Sequence, residues 1–257
     1  MSYKIGGGVV KYGGEVQGQC GMASLVQDGP KRHTQTPYVT GSSILGMKCS
    51  DGVIIASDTL ASYGSMAKFR KITRIHRVSD SCVVGVGGEY SDFQELKRTL
   101  DSAMNEQFCR DDGHTLSPTA IHQYLSRVMY GRRNKMDPLW NSVVLAGVDG
   151  DEITLGMVDL LGTNFESEVI ATGYGLYMGL PLLRKAYRED ITVAEAKSKL
   201  EDIMRVLFYR DARTTNSIQI ATVTKDGVNI SDFYELDTKW DYERFVGGAR
   251  SDDASPW

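Results

Sequence analysis

Long apolar runs are missing from this chain. None approaches the roughly 18 residues that a membrane-spanning helix needs, so no membrane partner is expected. The opening residues also lack the basic start and continuous apolar stretch of a secretory signal. Cysteine is scarce. The four present (Cys20, Cys49, Cys82, Cys109) lie far apart without a C-x-x-C pair, which argues for reduced thiols in an intracellular protein and against a disulfide framework. Histidine is equally rare, with four copies and no H-E-x-x-H spacing, so neither a zinc site nor any other cofactor is expected. Positive charge is not in excess. Lys and Arg total 29 against 33 Asp and Glu, and a net charge of −4 gives no broad attraction for nucleic acid.

What is present fits a globular protein. The chain has 257 residues, 41% hydrophobic and 24% charged, enough to bury one sizeable core. Residues 1–33 stand apart, rich in glycine and without a helical or strand period, and read as a flexible leader. Their glycines are not followed by Lys-Ser/Thr and a helix, so they do not form a phosphate-binding loop.

From Tyr38 the pattern turns regular. Val39–Cys49 and Val53–Ala56 flank Asp51-Gly52, which predicts a hairpin with a type I′ turn, ending on the carboxylate of Asp58. Ile72–Val78 and Ser81–Val86 are strand-like. Ser91 and Gln94 mark a capping box for a helix with Phe93, Leu96, Leu100 and Met104 on one face, ended by Gly113. Ser117-Pro118 opens a second helix. Strands follow at Asn141–Val148, Glu152–Val158 and Phe165–Thr172. Helices are then expected at Leu176–Arg188 and after the Thr192/Glu195 capping box, and a last hairpin spans Ser217–Ser231 around Asp226-Gly227. Strands, two helices, strands, two helices, strands is the order of an α+β, four-layer αββα sandwich, with two antiparallel sheets between helix pairs. Residues 34–232 form that domain. Residues 233–257, aromatic and acidic, are either a frayed tail or an arm that docks on a partner. The basic run Lys68, Arg70, Lys71, Arg74, Arg77 alternates with Phe69, Ile72 and Ile75. It reads as a strand with a solvated or partner-facing side rather than a nucleic-acid patch.

One constellation carries chemistry. A Gly-Ser junction (Gly41-Ser42) at the head of a hairpin ending in Asp can serve an N-terminal nucleophile: cleavage before the hydroxyl residue frees an α-amino group, with a pKa near 8, to act as base for that hydroxyl. The dipeptide alone is too common to decide anything. With its neighbours it does more. Gly-Val-Ile-Ile-Ala-Ser-Asp at 52–58, Val-Gly-Gly at 86–88, Ala-Thr-Gly-Tyr-Gly at 171–175 and Tyr-Arg-Asp-Ala at 209–212 occur in order, and residues 34–234 resemble the β-type subunits of the 20S proteasome. Thr-Gln-Thr-Pro at 34–37, Asp-Pro-Leu-Trp-Asn at 137–141 and Tyr-Arg-Asp-Ala-Arg at 209–213 narrow the resemblance to the non-catalytic seventh β position.

The resemblance implies the fold of N-terminal nucleophile hydrolases and a place in a seven-membered ring. The partners it implies are the other α and β subunits of a 28-subunit hetero-oligomer in cytoplasm and nucleus, serving ubiquitin-dependent and -independent protein degradation. It also places a processing cut between His33 and Thr34, leaving Thr34 to Gly41 as an extension. The catalytic positions of active members fall on Ser42 (threonine there), Asp58, Arg74 (lysine), Gly88 (oxyanion glycine), Tyr174 (serine) and Asp211, with Thr214-Thr215 in place of Ser-Gly. Serine is still a usable nucleophile. Arg74 is not a usable proton carrier, because guanidinium stays charged at accessible pH, and its fork is expected to pair bidentately with Asp58. Tyr174 is expected to crowd the space of a small hydroxyl, and Gly88 to allow a close helix approach. A degenerate, non-catalytic site is therefore the reading. The alternative is an active serine-type peptidase that uses Ser42 after cleavage at Gly41.

Overall fold

Two antiparallel sheets lie face to face, each covered on its outer side by two helices. The computed structural model describes residues 36–241 and, among the leading residues, the backbone of one short ladder. The chain divides into two units, Met1–Thr34 and Gln35–Trp257. In the first, β1 (Lys4–Ile5) pairs with β2 (Gly8–Val9).

The second unit holds, in order, β3 (Val39–Gly41), β4 (Ile44–Cys49), β5 (Gly52–Asp58), β6 (Ala61–Tyr63), β7 (Met66–Phe69), β8 (Ile75–Ser79), β9 (Cys82–Glu89), α1 (Tyr90–Arg110) and α2 (Pro118–Asn134). Then come β10 (Asn141–Asp149), β11 (Glu152–Val158), β12 (Asn164–Glu166), β13 (Val169–Ala171), α3 (Gly175–Ala186), α4 (Val193–Arg210), β14 (Ser217–Thr224), β15 (Gly227–Ile230) and β16 (Tyr234–Glu235). The first sheet runs β12-β11-β10-β9-β3-β6-β7. β8 shares the edge of β9 with β3, end to end. The second sheet runs β13-β4-β5-β14-β15, with β16 beside β14.

Three apolar layers hold the four together. Along β4 and β5 alternate side chains face opposite ways. Ile44, Val53 and Ile55 enter the layer between the sheets with Val83, Val144 and Leu155, while Leu45, Met47, Ile54 and Ala56 pack under α3 and α4 with Leu183, Leu200 and Leu207. On the far side, Val84, Val86, Val143 and Leu145 meet Phe93, Leu96 and Leu100 of α1 and Ile121 and Leu125 of α2. Each such buried aliphatic or aromatic side chain contributes about 1.5–3 kcal/mol. The expected αββα architecture is the observed one.

Local expectations fared unevenly. Ser117 caps α2 by accepting from Ala120 N at 3.2 Å, and Thr192 caps α4 by accepting from Glu195 N at 3.3 Å. α1 differs: it starts at Tyr90, one residue ahead of the predicted box, so Ser91 lies inside the helix and its hydroxyl donates to Glu89 Oε1 instead. It stops at Asp111, which adopts φ 50°, ahead of Gly113. The β4–β5 turn is not type I′. Cys49 pairs with Gly52, so Ser50 and Asp51 form the loop, neither with positive φ. Gly52 is needed for room, since a Cβ there would lie 2.2 Å from the Val223 carbonyl oxygen. The predicted strand Phe165–Thr172 is two strands, β12 in one sheet and β13 in the other, because the chain crosses between layers at Ser167-Glu168.

Candidate functional site

The crossing from β3 to β4 brings the predicted residues together. β3 belongs to the first sheet and β4 to the second, so Ser42 and Ser43 bridge the layers. Gly41 lies opposite Gly88 on β9 and opposite Ala61 on β6. Asp58, at the end of β5, is buried and opposite Ile218. Arg74, just before β8, is only 1% exposed.

Arg74 organises this junction. It forms an ion pair with Asp58 through one terminal nitrogen, which also donates to the Ser43 carbonyl at 3.1 Å. Its other terminal nitrogen donates to the Ser42 carbonyl at 2.9 Å, and Nε donates to the Asp58 carbonyl at 3.1 Å. The ion pair is present, but the expected bidentate carboxylate grip is not: the fork is spread over three backbone carbonyls. Burial pushes the Asp58 carboxyl up from the usual carboxylate range, while the Arg74 guanidinium, the Leu60 N–H and the Thr214 hydroxyl favour its charged form. The arginine also dictates the residue before Ser42. A Cβ on Gly41 would lie 2.4 Å from Arg74 Cδ.

The Ser42 hydroxyl donates to Asp211 Oδ2 at 2.5 Å. Asp211 follows the end of α4, is buried, and accepts from Arg213 N through its other oxygen at 2.8 Å. Ser43, which sequence reasoning passed over, is as central as Ser42. It is buried, its hydroxyl accepts from Gly175 N at 2.8 Å, and it lies 3.4 Å from the Ser42 hydroxyl. No spacing or residue type marked Ser43; its role depends on which sheet each neighbour joins. Glu89 was missed too. Its carboxylate accepts from Tyr38 N and, at 3.0 Å, from Val39 N, tying down the segment that leads into β3.

Two expectations change. Tyr174 does not crowd the site: its side chain is 55% exposed, and the approach to Ser42-Ser43 is made by backbone at Gly173, with φ +59°, and by Gly175. Gly88 serves a neighbouring strand rather than a helix. At φ +96°, a Cβ on it would sit 2.1 Å from the Trp140 carbonyl at the entry to β10. His33 and Thr34 lie outside the described residues.

The chemistry open to this arrangement is narrow. Ser42 N is an amide, joined to Gly41, and Gly41 is hydrogen-bonded strand. The hydroxyl has a carboxylate beside it. The cation nearest the Ser42 carbonyl is a guanidinium with no proton to give.

This fold, with a hydroxyl residue at the crossing between the sheets and an Asp at the end of the hairpin that follows, is that of a proteasome β-type domain. A profile described as Proteasome subunit matches residues 38–223, and the chain belongs to that family. It is 46% identical over 222 residues to proteasome subunit beta type-4 of Xenopus laevis, covering 86% of this chain and 92% of that one. It is 42% identical to the beta type-4 subunit of Arabidopsis thaliana (88% and 92%). It is 43% identical to a probable proteasome subunit beta type-7 of Schizosaccharomyces pombe (83% and 84%).

Proposed function

We propose that this chain is a structural, non-catalytic β subunit of the 20S proteasome core at the position held by its beta type-4 relatives, and that its task is assembly. One observation supports the reading: the residues just before the nucleophile position, Val39–Gly41, are a strand paired on both sides inside the first sheet, so a chain that keeps them has no free amine at Ser42. The site's strong donors are spent on holding backbone. A nucleophile–base–orienter unit loses most of its function when one member is lost; in this reading a chain that begins at Thr34 has no amine base at Ser42, and a guanidinium stands at the lysine position.

Assembly is supported by the outer surface of the second helix pair. On α3, Leu176, Tyr177 and Leu182 are exposed, Tyr177 at 75%. Large apolar side chains left exposed on one short helix suit a subunit contact. In this reading the leader is removed between His33 and Thr34. The neighbours are other α and β subunits in a 28-subunit particle of cytoplasm and nucleus, and residues 233–257 reach a neighbour. Within the described part of that segment β16 joins the second sheet, and Trp240 stacks edge-on against Phe208 and Tyr209 at 5.9 and 5.2 Å; residues 242–257 lie outside the described residues.

Intact mass and N-terminal sequencing of the chain from native particles test this. A start at Thr34 is expected. A start at Ser42 would overturn the reading, and a start at Met1 would overturn the processing step. The competing peptidase draws its support from the short Ser42–Asp211 hydrogen bond. It requires an electrophilic peptide probe to label Ser42 and Ser42→Ala to abolish that labelling; no labelling is expected.

A further inference from the structure

Helix α1 is longer than the sheet it covers. It starts where β9 ends and runs back along it, but its 21 residues span about 31 Å while the 8 residues of β9 span about 26 Å. Its core-facing stripe, Phe93, Leu96, Leu100, Met104, continues in period to Phe108. Phe108 is 84% exposed: the core stripe runs on past the point where the sheet stops.

Below that overhang lies a cleft of about 730 Å³. Met104, Phe108 and Val148 supply its apolar part, and the β8–β9, β10–β11 and β14–β15 turns form its walls. A second hollow of about 320 Å³ continues from it around Phe108 to Asp111, Asp112 and His114. The rim is acidic. Asp80 is paired with Arg77, and Asp151 with Lys225, but Asp149 and Asp111 make no ion pair among the described residues.

We propose that this cleft is a docking site for an extended segment of another protein that places an aromatic or long aliphatic side chain beside Met104 and Phe108 and a lysine or arginine against Asp149 and Asp111. The apolar floor completes packing that α1 begins and the sheet leaves unfinished. The uncompensated carboxylates select a basic neighbour over an acidic one. Ser42 is at the opposite end of the strands, since β9 begins at the cleft and ends beside the Gly41–Ser42 junction. Occupancy therefore leaves that site untouched, and failure of this proposal leaves the structural reading standing.

The test uses isolated particles containing the full chain, with their peptidase sites chemically blocked, and three fluorescein-labelled decapeptides with central Phe-Lys-Arg, Phe-Glu-Glu or Ser-Lys-Arg. Fluorescence anisotropy is expected to show binding of the first alone. Phe108→Ser and, separately, Asp149→Lys are each expected to weaken it about tenfold or more, the scale of a central anchor. Both side chains are exposed, and native electrophoresis of the variant particles confirms assembly. Equal binding of the acidic peptide, no binding of the first peptide, or unchanged affinity in both variants overturns the proposal.

Discussion

At position 74 a guanidinium is buried with Asp58 as its ionic partner and the carbonyls of Ser42, Ser43 and Asp58 around it. Removing one half of such a pair strands a charge in the interior, which costs about 3–5 kcal/mol, whereas replacing both halves with apolar groups often costs little. Arg74→Met is therefore expected to lower stability by about that amount in urea unfolding of the full chain, and Arg74→Met with Asp58→Leu to recover most of it. If the double variant were no more stable than the single one, the carbonyl contacts rather than the ion pair would be the larger part. Cysteine reactivity follows the same burial logic. Burial pushes the Cys49 and Cys82 thiols up to about 12, so both are protonated at pH 8, while Cys109 is exposed. Of these three, iodoacetamide at pH 8 is expected to modify Cys109 alone in the native chain and all three in urea, as read by peptide mass spectrometry. The Arg74–Asp58 pair was legible only through the resemblance, which places both residues at one site; read alone, Arg74 belonged to a basic run with a solvated or partner-facing side, whereas it is buried. The rest of the Arg74 shell was not legible, because its partners are backbone carbonyls, and any residue offers those.

Elements with a strong local signal came out as read. The Thr192 and Ser117 caps, the apolar stripe of α1 and the strands β10 and β11 each depend on residues close in sequence. β3, β6 and β7 were not separately legible. They are three or four residues long, and they form because distant strands offer them partners. The same cause split Phe165–Thr172 into β12 and β13: a periodic run shows that a strand exists, but not which sheet accepts it. At the C-terminal end, Trp240 against Phe208 and Tyr209, with Lys239 N donating to the Tyr209 hydroxyl at 2.6 Å, clips the chain to α4. Trp240→Ala is expected to speed amide exchange at Lys239, and less so at Leu236, whose amide is held by the Asn216 carbonyl at 2.8 Å. Unchanged protection at Lys239 would mean that the aromatic contact does not hold the clip.

For the whole molecule, the αββα order was readable because helices and strands alternate in blocks, and the three apolar layers follow from the alternation along β4 and β5 in one sheet and along β9 and β10 in the other. Deleting residues 242–257 is expected to slow the joining of half-particles, followed by native electrophoresis. Normal assembly of the truncated chain would remove the arm from the account. A different consequence follows from the strand order β9-β3-β6-β7. The β6–β7 ribbon reaches the rest of its sheet only through β3. Severing the chain after Gly41, and letting the freed segment leave, would remove β3 and with it the strand that joins the ribbon to β9. Exposing an N-terminal nucleophile would, in this chain, take a strand out of the middle of its first sheet.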